Sequence, residues 1–446
     1  MTGLRAASEV AGGEAPGLPR PGRNLTRATR SSGGKRPGAF GVFLGTLLLC
    51  GWPFVMAGVA AAQTGAPLRH ARVRTSGPDT HQGVVTKLEK GRLTLVGEQT
   101  HELAVRDLDR VDFSDRTPVL PIDAPLLILA NGDILVASVV EGDQETLRAK
   151  WVQLSALRDF TVPVEAVRAI VLRPPTGAEA GRLLWKRLAD NRNEQDELIL
   201  KTGDTLTGEL KRIATDSLHL DGEGTAGRVA REGIVAVTFN AEFAELEPLK
   251  GAGALVTLID GSRFHVSEIA LVKGDLLSFK TLFGADFVMP AAAVCGLRFL
   301  GGCATLVSEM EPTDAEFTPY LSIDWPWRRD RNCLAQPLRL RGVDYANGLG
   351  VHSRQRLKFP LDGKYREFRA TVGIDDSAKG AGSVLFEVKV DGKSVWKSDV
   401  VRGADEPLTV DNVDLKGARE LELFVDFGPR GDILDHANWC DAVLIR

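Results

Sequence analysis

The chain has 446 residues, too many for one ordinary domain. It is 43% hydrophobic and 26% charged, as globular proteins are. With 55 Lys/Arg against 59 Asp/Glu, a formal net charge of −4, it lacks the basic footprint that nucleic-acid binding demands.

Residues 1–62 depart from that balance. Arg5, Arg20, Arg23, Arg27, Arg30, Lys35 and Arg36 precede an uncharged apolar run ending in Ala60-Ala61-Ala62, while the remainder carries 48 Lys/Arg against 57 Asp/Glu. A basic leader, an apolar segment and small residues before Gln63 predict a signal peptide, hence a secreted or periplasmic protein. The alternative is a membrane anchor retained through residues 38–62, which are numerous enough to span a bilayer. Five interruptions, Gly41, Gly45, Gly51, Pro53 and Gly58, weigh against a stable span. Cys295, Cys303, Cys333 and Cys440 remain in the mature chain. They pair as 295–303 and 333–440, or stay buried as thiols.

From residue 70 to 300 the chain repeats itself. Copies are expected at 70–114, 124–174, 197–243 and 253–300. Each opens with an apolar strand and a turn signal, as in Asn131-Gly132-Asp133, Gly203-Asp204 and Asp260-Gly261. Each closes on an apolar pattern, as in Val162-Pro163-Val164-Glu165-Ala166-Val167 and Val288-Met289-Pro290-Ala291-Ala292-Ala293. Four or five short strands per copy predict tandem SH3/Sm-like β units. Residues 175–196 form a linker with a short amphipathic helix around Arg182-Leu183-Leu184-Trp185. No His, Cys or carboxylate recurs among the copies, so the array is expected to be a scaffold or contact surface. His219 and His265 lie on strands without evident partners.

Residues 301–319, polar and broken by Pro312 and Pro319, read as a linker. Strands are then expected at 320–325, 338–341, 355–361, 365–374, 383–390, 394–401, 408–415, 420–426 and 438–445. Period-two alternation is clearest in 384–390 and 421–427, and Asp391-Gly392 is a hairpin signal. Nine short strands in so few residues predict a jelly-roll β-sandwich over 320–446.

The motifs in this region occur in a telling order. They are Gly348-Leu349-Gly350-Val351-His352-Ser353, Thr371-Val372-Gly373-Ile374-Asp375-Asp376 and Asp435-His436-Ala437-Asn438-Trp439-Cys440-Asp441. In that order they resemble the NPCBM/NEW2 family over residues 314–446. This carbohydrate-binding module family is similar to CBM51 and has a galactose-binding-like fold. The resemblance implies a galactose-binding-like jelly-roll for this region; with the tandem SH3/Sm-like units read from the repeats, the whole chain is expected to be all-β. It also raises the expectation of a structural calcium at Asp375 and Asp376, since calcium takes carboxylate and carbonyl oxygens. Otherwise those aspartates cap turns.

The candidate carbohydrate-binding residues are His352, Asp435, His436, Asn438 and Trp439. A ring covers a sugar's C–H face, while imidazole, amide and carboxylate groups bond its hydroxyls. Trp439 is equally suited to the core of a closing strand. Trp325 and Trp327 stand undecided between the same roles, and Trp396 is expected in the core. Catalysis is not expected. Asp435 and Asp441 share a face but lie roughly 20 Å apart on an extended strand, too far for a glycosidase pair. The chain therefore reads as an exported, non-enzymatic binder of a glycan or glycoconjugate, with no nucleic acid and with membrane contact only if the leader is retained. The competing reading is a structural component that contacts envelope proteins. An open, aromatic-lined polar site at His352 and His436 favours sugar, and a closed one favours protein.

Overall fold

A computed structural model describes residues 70–446, apart from 78, 114–117, 119, 122, 223–226 and 321. The expected leader, residues 1–62, lies outside the described residues. No helix among the described residues is long and apolar enough to cross a membrane.

Four small β units follow one another. The first has strands His70–Thr75, Thr80–Glu89, Arg92–Val96 and Thr100–Ala104, a 3₁₀ turn Val105–Asp107, and a closing strand Leu108–Asp112. The repeated closing pattern is this turn plus the strand after it, as in Val164–Ala166 with Val167–Val171 and Ala291–Ala293 with Val294–Leu300. Pro163 and Pro290 sit just before those turns, at φ −59° and −58°, where a proline ring fits the backbone. The second strand of every unit shifts register at the equivalent place, near Thr86, Val140, Lys211 and Ser267. Such a bulge adds bend and twist, which lets a short sheet curl on itself.

The units do not form an open row. The fourth unit's closing strand pairs antiparallel with the first unit's, Leu297 opposite Val111. The second and third pair likewise, Ile170 opposite Val237. These pairings cover edges that would otherwise be exposed. One apolar core runs from Ala71 to Phe299, with Trp151, Phe160, Phe264 and Phe287 clustered where the second and fourth units meet. Helix α1 (Ala178–Ala189) lays Leu184 and Leu188 on a smaller cluster with Leu126, Ile128 and Ala236. His265 has a partner after all: its Nδ1 lies 2.7 Å from Asp133 Oδ1 of the second unit. Burial opposes protonation of His265, but Asp133 outweighs it and raises the pKa.

The C-terminal sandwich has two antiparallel sheets. One contains Arg328–Arg329, β1 (Gly348–His352), β2 (Glu367–Ile374), Leu408–Asp414 and β3 (His436–Ile445), with β3 between β1 and β2. The other contains Asp314–Phe317, Gln355–Pro360, Ser383–Val390, Lys393–Lys397 and Glu420–Phe427. Trp396 packs at the margin of the core between them.

Three expectations change here. Residues 301–319 are not a linker: Ala304–Leu306 pairs with the end of β3, Val307 enters the core, and Asp314–Phe317 is an edge strand. Its charged residues hid it, and they suit an edge because solvent reaches them. Tyr320 and residues 322–325 form no strand. Together with Arg328–Arg329 at the edge of the first sheet, the described residues up to Tyr345 make a strap across its outer face, ending in the hairpin Leu338–Leu340/Val343–Tyr345. Finally, of the two readings of the cysteines the structure has buried thiols: all four are buried, and Cys303, Cys333 and Cys440 are free, so neither the 295–303 nor the 333–440 pairing forms.

The sandwich docks directly on the array. Arg369 reaches the carbonyl oxygens of Thr75, Ser76 and Gly77, and Arg263 donates to the carbonyl of Tyr345.

Candidate functional site

Strand β3 organises the site, and its alternation decides which face each residue takes. Ala437 and Trp439 point between the sheets with Leu349 and Val351 of β1. Trp439 is 1% exposed and meets Phe386 edge-on, centroids 5.1 Å apart. It is a core residue and offers no ring to a ligand. His436, Asn438 and Cys440 take the opposite, outer face. There His352 lies directly opposite His436, and Gly350 opposite Asn438.

The strap covers most of that outer face. A Cβ at Gly350 would come within 2.1 Å of the Arg331 carbonyl oxygen and 2.4 Å of Asn332 Cα, so only glycine lets the strap lie this close. Asp375 fastens it. Its Oδ1 accepts from Asn332 Nδ2 (2.8 Å) and Ser377 N (2.9 Å). Its Oδ2 accepts from Arg339 N (3.0 Å) and Asn438 Nδ2 (2.6 Å). Asp376 accepts from Arg341 N and Gly342 N at 2.8 and 2.7 Å. All four carboxylate oxygens thus face N–H donors, the reverse of what a cation requires. No group of three potential metal ligands occurs among the described residues. The two aspartates cap turns and hold the strap. Leu338, Leu340 and Tyr345 then close over Cys440.

Asn438 and Asp435 are likewise committed internally. Asn438 is fully buried against Asp375. Asp435, fully buried just before β3, accepts from Ser353 Oγ (2.6 Å) and Ser383 N (2.7 Å). Burial pushes its pKa up to about 6, against the pull of those bonds. Neither side chain is presented to a ligand in this arrangement.

A bulge at Asp441, whose φ is 49°, switches the parity of β3, so that Ala442 and Leu444 enter the core instead. Asp441 then leaves the sandwich altogether. It takes Arg110 of the first unit at 2.8 Å and Arg298 of the fourth at 3.1 Å. Burial alone would raise its pKa, but the two guanidiniums hold it below the usual carboxylate value. It does not share a face with Asp435, and it serves domain docking.

What remains near the surface is one corner. The rings of His352 and His436 lie 5.9 Å apart, and the half-buried Trp325 stacks on His352 at 4.6 Å and 9°. Trp325 also lies 5.8 Å from His436. His352 Nδ1 donates to the Ser353 carbonyl (2.9 Å), which leaves Nε2 as an acceptor. His436 Nδ1 pairs with Ser377 Oγ at 2.9 Å. Among the described residues nothing bonds the second nitrogen of either ring. Burial lowers the pKa of both, and for His436 burial and then the neighbouring His352 push it down to about 4. Both imidazoles are therefore neutral at pH 7. His352 and His436 are 2% and 4% exposed, so the corner is roofed and the histidines are not open to solvent. Exposed Tyr320, Ile323, Ile433 and Leu434 belong to the two loops that bound it.

Trp325, left undecided by the sequence at the end of an expected strand, lies outside any strand in Asp324-Trp325-Pro326-Trp327, while Trp327 packs against the core. Ser377 gave no signal.

Comparison with known proteins places the similarity in this sandwich. The NPCBM/NEW2 domain model matches residues 304–445. A protein named as an endo-alpha-N-acetylgalactosaminidase, from Renibacterium salmoninarum, is 33% identical over 106 residues, 24% of this chain and 7% of that protein. Alpha-1,3-galactosidase B of Akkermansia muciniphila is 32% identical over 118 residues, 26% of this chain and 15% of that protein. The chain thus spans only a small part of the length of these relatives. Among solved structures, CBM51 from Clostridium perfringens GH95 in complex with methyl-galactose is 26% identical. The match covers 32% of this chain and 99% of that one, with a TM-score of 0.29.

Proposed function

We propose that the protein is exported and non-catalytic, and that it binds a glycan or glycoconjugate at the corner formed by Trp325, His352 and His436. One observation carries this reading: two neutral imidazoles stand side by side on adjoining strands beneath a half-exposed indole. With each Nδ1 held by Ser353 or Ser377, each ring keeps its Nε2 for a ligand, and that of His352 is an acceptor suited to a hydroxyl. An indole supplies the apolar platform that a sugar's C–H face needs. The NPCBM/NEW2 match supports the reading, and the relatives' names point to galactose-type sugars. Asp435 and Asp441 are held in separate hydrogen-bonded and ion-paired settings, which favours binding over hydrolysis. Export rests on the basic leader and apolar run of residues 1–62.

Glycan-array binding of the full chain, followed by Trp325→Ala, tests this. Trp325 belongs to neither sandwich core, so the variant is expected to fold and to bind galactose-type glycans at least about tenfold more weakly. No glycan binding by the parent, with or without calcium, or unchanged binding by the variant, would overturn it. A second reading, docking of an envelope protein, is favoured by the roofed histidines and the exposed Tyr320, Ile323, Ile433 and Leu434.

A further inference from the structure

A cleft of about 1050 Å³ lies where the first and fourth units face the sandwich, away from the histidine corner. Its walls come from the first unit's opening and closing strands, the corresponding strands of the fourth, and residues 343–347 with Thr371 and Asp441 of the sandwich. Because the sandwich is clamped to the array by Asp441, Arg110 and Arg298, the walls are mutually fixed.

The formal charges of this cleft sum to zero: Arg72, Arg110 and Arg298 stand against Asp112, Asp344 and Asp441. Arg110 bonds Asp112 and Asp441, Arg298 bonds Asp109 and Asp441, and Asp344 bonds Arg339. The lining as a whole therefore carries no net charge that would select an ion. Gln82, Thr257, Asn347 and Thr371 add uncharged polar groups. Phe113, Leu255, Leu297 and Tyr345 add apolar surface beside it.

Asn347 is the telling residue. It is 6% exposed, lines the cleft, and its Oδ1 has no hydrogen-bond partner. Its backbone carbonyl accepts from Asp441 N at 2.9 Å, so the bulged strand fixes its place. A buried acceptor left unpaired carries the full cost of its desolvation, and of the buried unpaired side-chain atoms among the described residues this one belongs to the lining of the cleft.

We infer that this cleft is a second ligand site, for a neutral oligosaccharide, with Asn347 Oδ1 accepting from one of its hydroxyls. The volume is at the upper end for small-molecule sites, ample for several sugar units and wasteful for one. Paired carboxylates and guanidiniums can accept from and donate to hydroxyls without attracting counter-ions. The inference does not depend on binding at the histidine corner.

The test uses the full chain carrying Trp325→Ala, which silences the corner. Cellotetraose, chitotetraose and lacto-N-tetraose serve as probes in isothermal titration. At least one is expected to bind. Asn347→Leu should weaken that binding about tenfold or more. Gln82→Trp, at an exposed residue of the lining, should weaken it about tenfold or more by narrowing the cleft without disturbing either core. Absence of binding by all three probes overturns the inference, as does binding that both substitutions leave unchanged. Loss of glycan binding by Trp325→Ala with no residual cleft binding would leave the corner standing and remove only the second site.

Discussion

Asp375→Ala removes the carboxylate on which the strap is fastened. Four donors converge on it, at 2.6 to 3.0 Å, from the strap (Asn332, Arg339), from Ser377 and from β3 (Asn438). Each hydrogen bond to a charged acceptor nets about 1.5–3 kcal/mol, but the gains do not add. Burial also opposes ionisation here, raising the carboxyl pKa. Removing one member of such a buried network costs about 3–5 kcal/mol, and about 4 is expected for Asp375→Ala. Asp375→Asn keeps one acceptor oxygen and should cost about half as much. The assay is equilibrium unfolding in guanidinium, repeated with EDTA. Since N–H donors occupy all four oxygens of Asp375 and Asp376, EDTA should leave the wild-type midpoint unmoved. The reasoning fails if the alanine variant loses less than about 1 kcal/mol, or if EDTA lowers the midpoint and calcium restores it.

Two further predictions concern pH and docking. His436 is depressed from 6.5 to about 4, so as pH falls through this range the unfolded state gains a proton that the folded state refuses, costing about 3 kcal/mol. Asp435 is raised from 3.8 to about 6, so its stabilisation is full below 3.8 and lost as pH rises through 6, about 3 kcal/mol of opposite sign. The two nearly cancel in the wild type. Relative to it, His436→Gln should gain about 3 kcal/mol between pH 6.5 and 4, and Asp435→Asn should lose about 3. Parallel pH–stability curves for all three chains would refute the assignment. Asp441→Ala leaves Arg298 with Asp109 and Arg110 with Asp112, so a loss of about 2–3 kcal/mol is expected rather than the full cost of orphaned charges. Faster amide exchange in Leu108–Asp112 and Val294–Leu300 should accompany it, and unchanged exchange there would argue against a clamped interface.

Much of the architecture was legible locally. Turn pairs such as Asn131-Gly132 and Asp260-Gly261 and the recurring closing pattern located four β units, because hairpin turns and period-two alternation are short-range properties. The same logic found most strands of the sandwich. It failed at 301–319, where the strands Ala304–Leu306 and Asp314–Phe317 are too short to show alternation, and at 320 and 322–325, which became part of a strap. It also could not foresee that the fourth unit returns to the first, since that pairing joins residues far apart in the chain.

The eight residues from Leu434 to Asp441 show the division most clearly. By itself the sequence determined that a strand rich in polar chemistry closes the sandwich, and that its residues alternate. Tertiary structure decided the rest. Which parity faces inward depends on the opposing sheet, which sent Trp439 to Phe386 and His436 to the outer face. What covers the outer face depends on a strap admitted by Gly350, which enclosed Asn438 and left the histidines under Trp325. Where Asp441 points depends on a bulge and on two arginines more than a hundred residues away in the chain. Local pattern encodes backbone periodicity, but a side chain's role is set by whatever distant segment desolvates it or pairs with it.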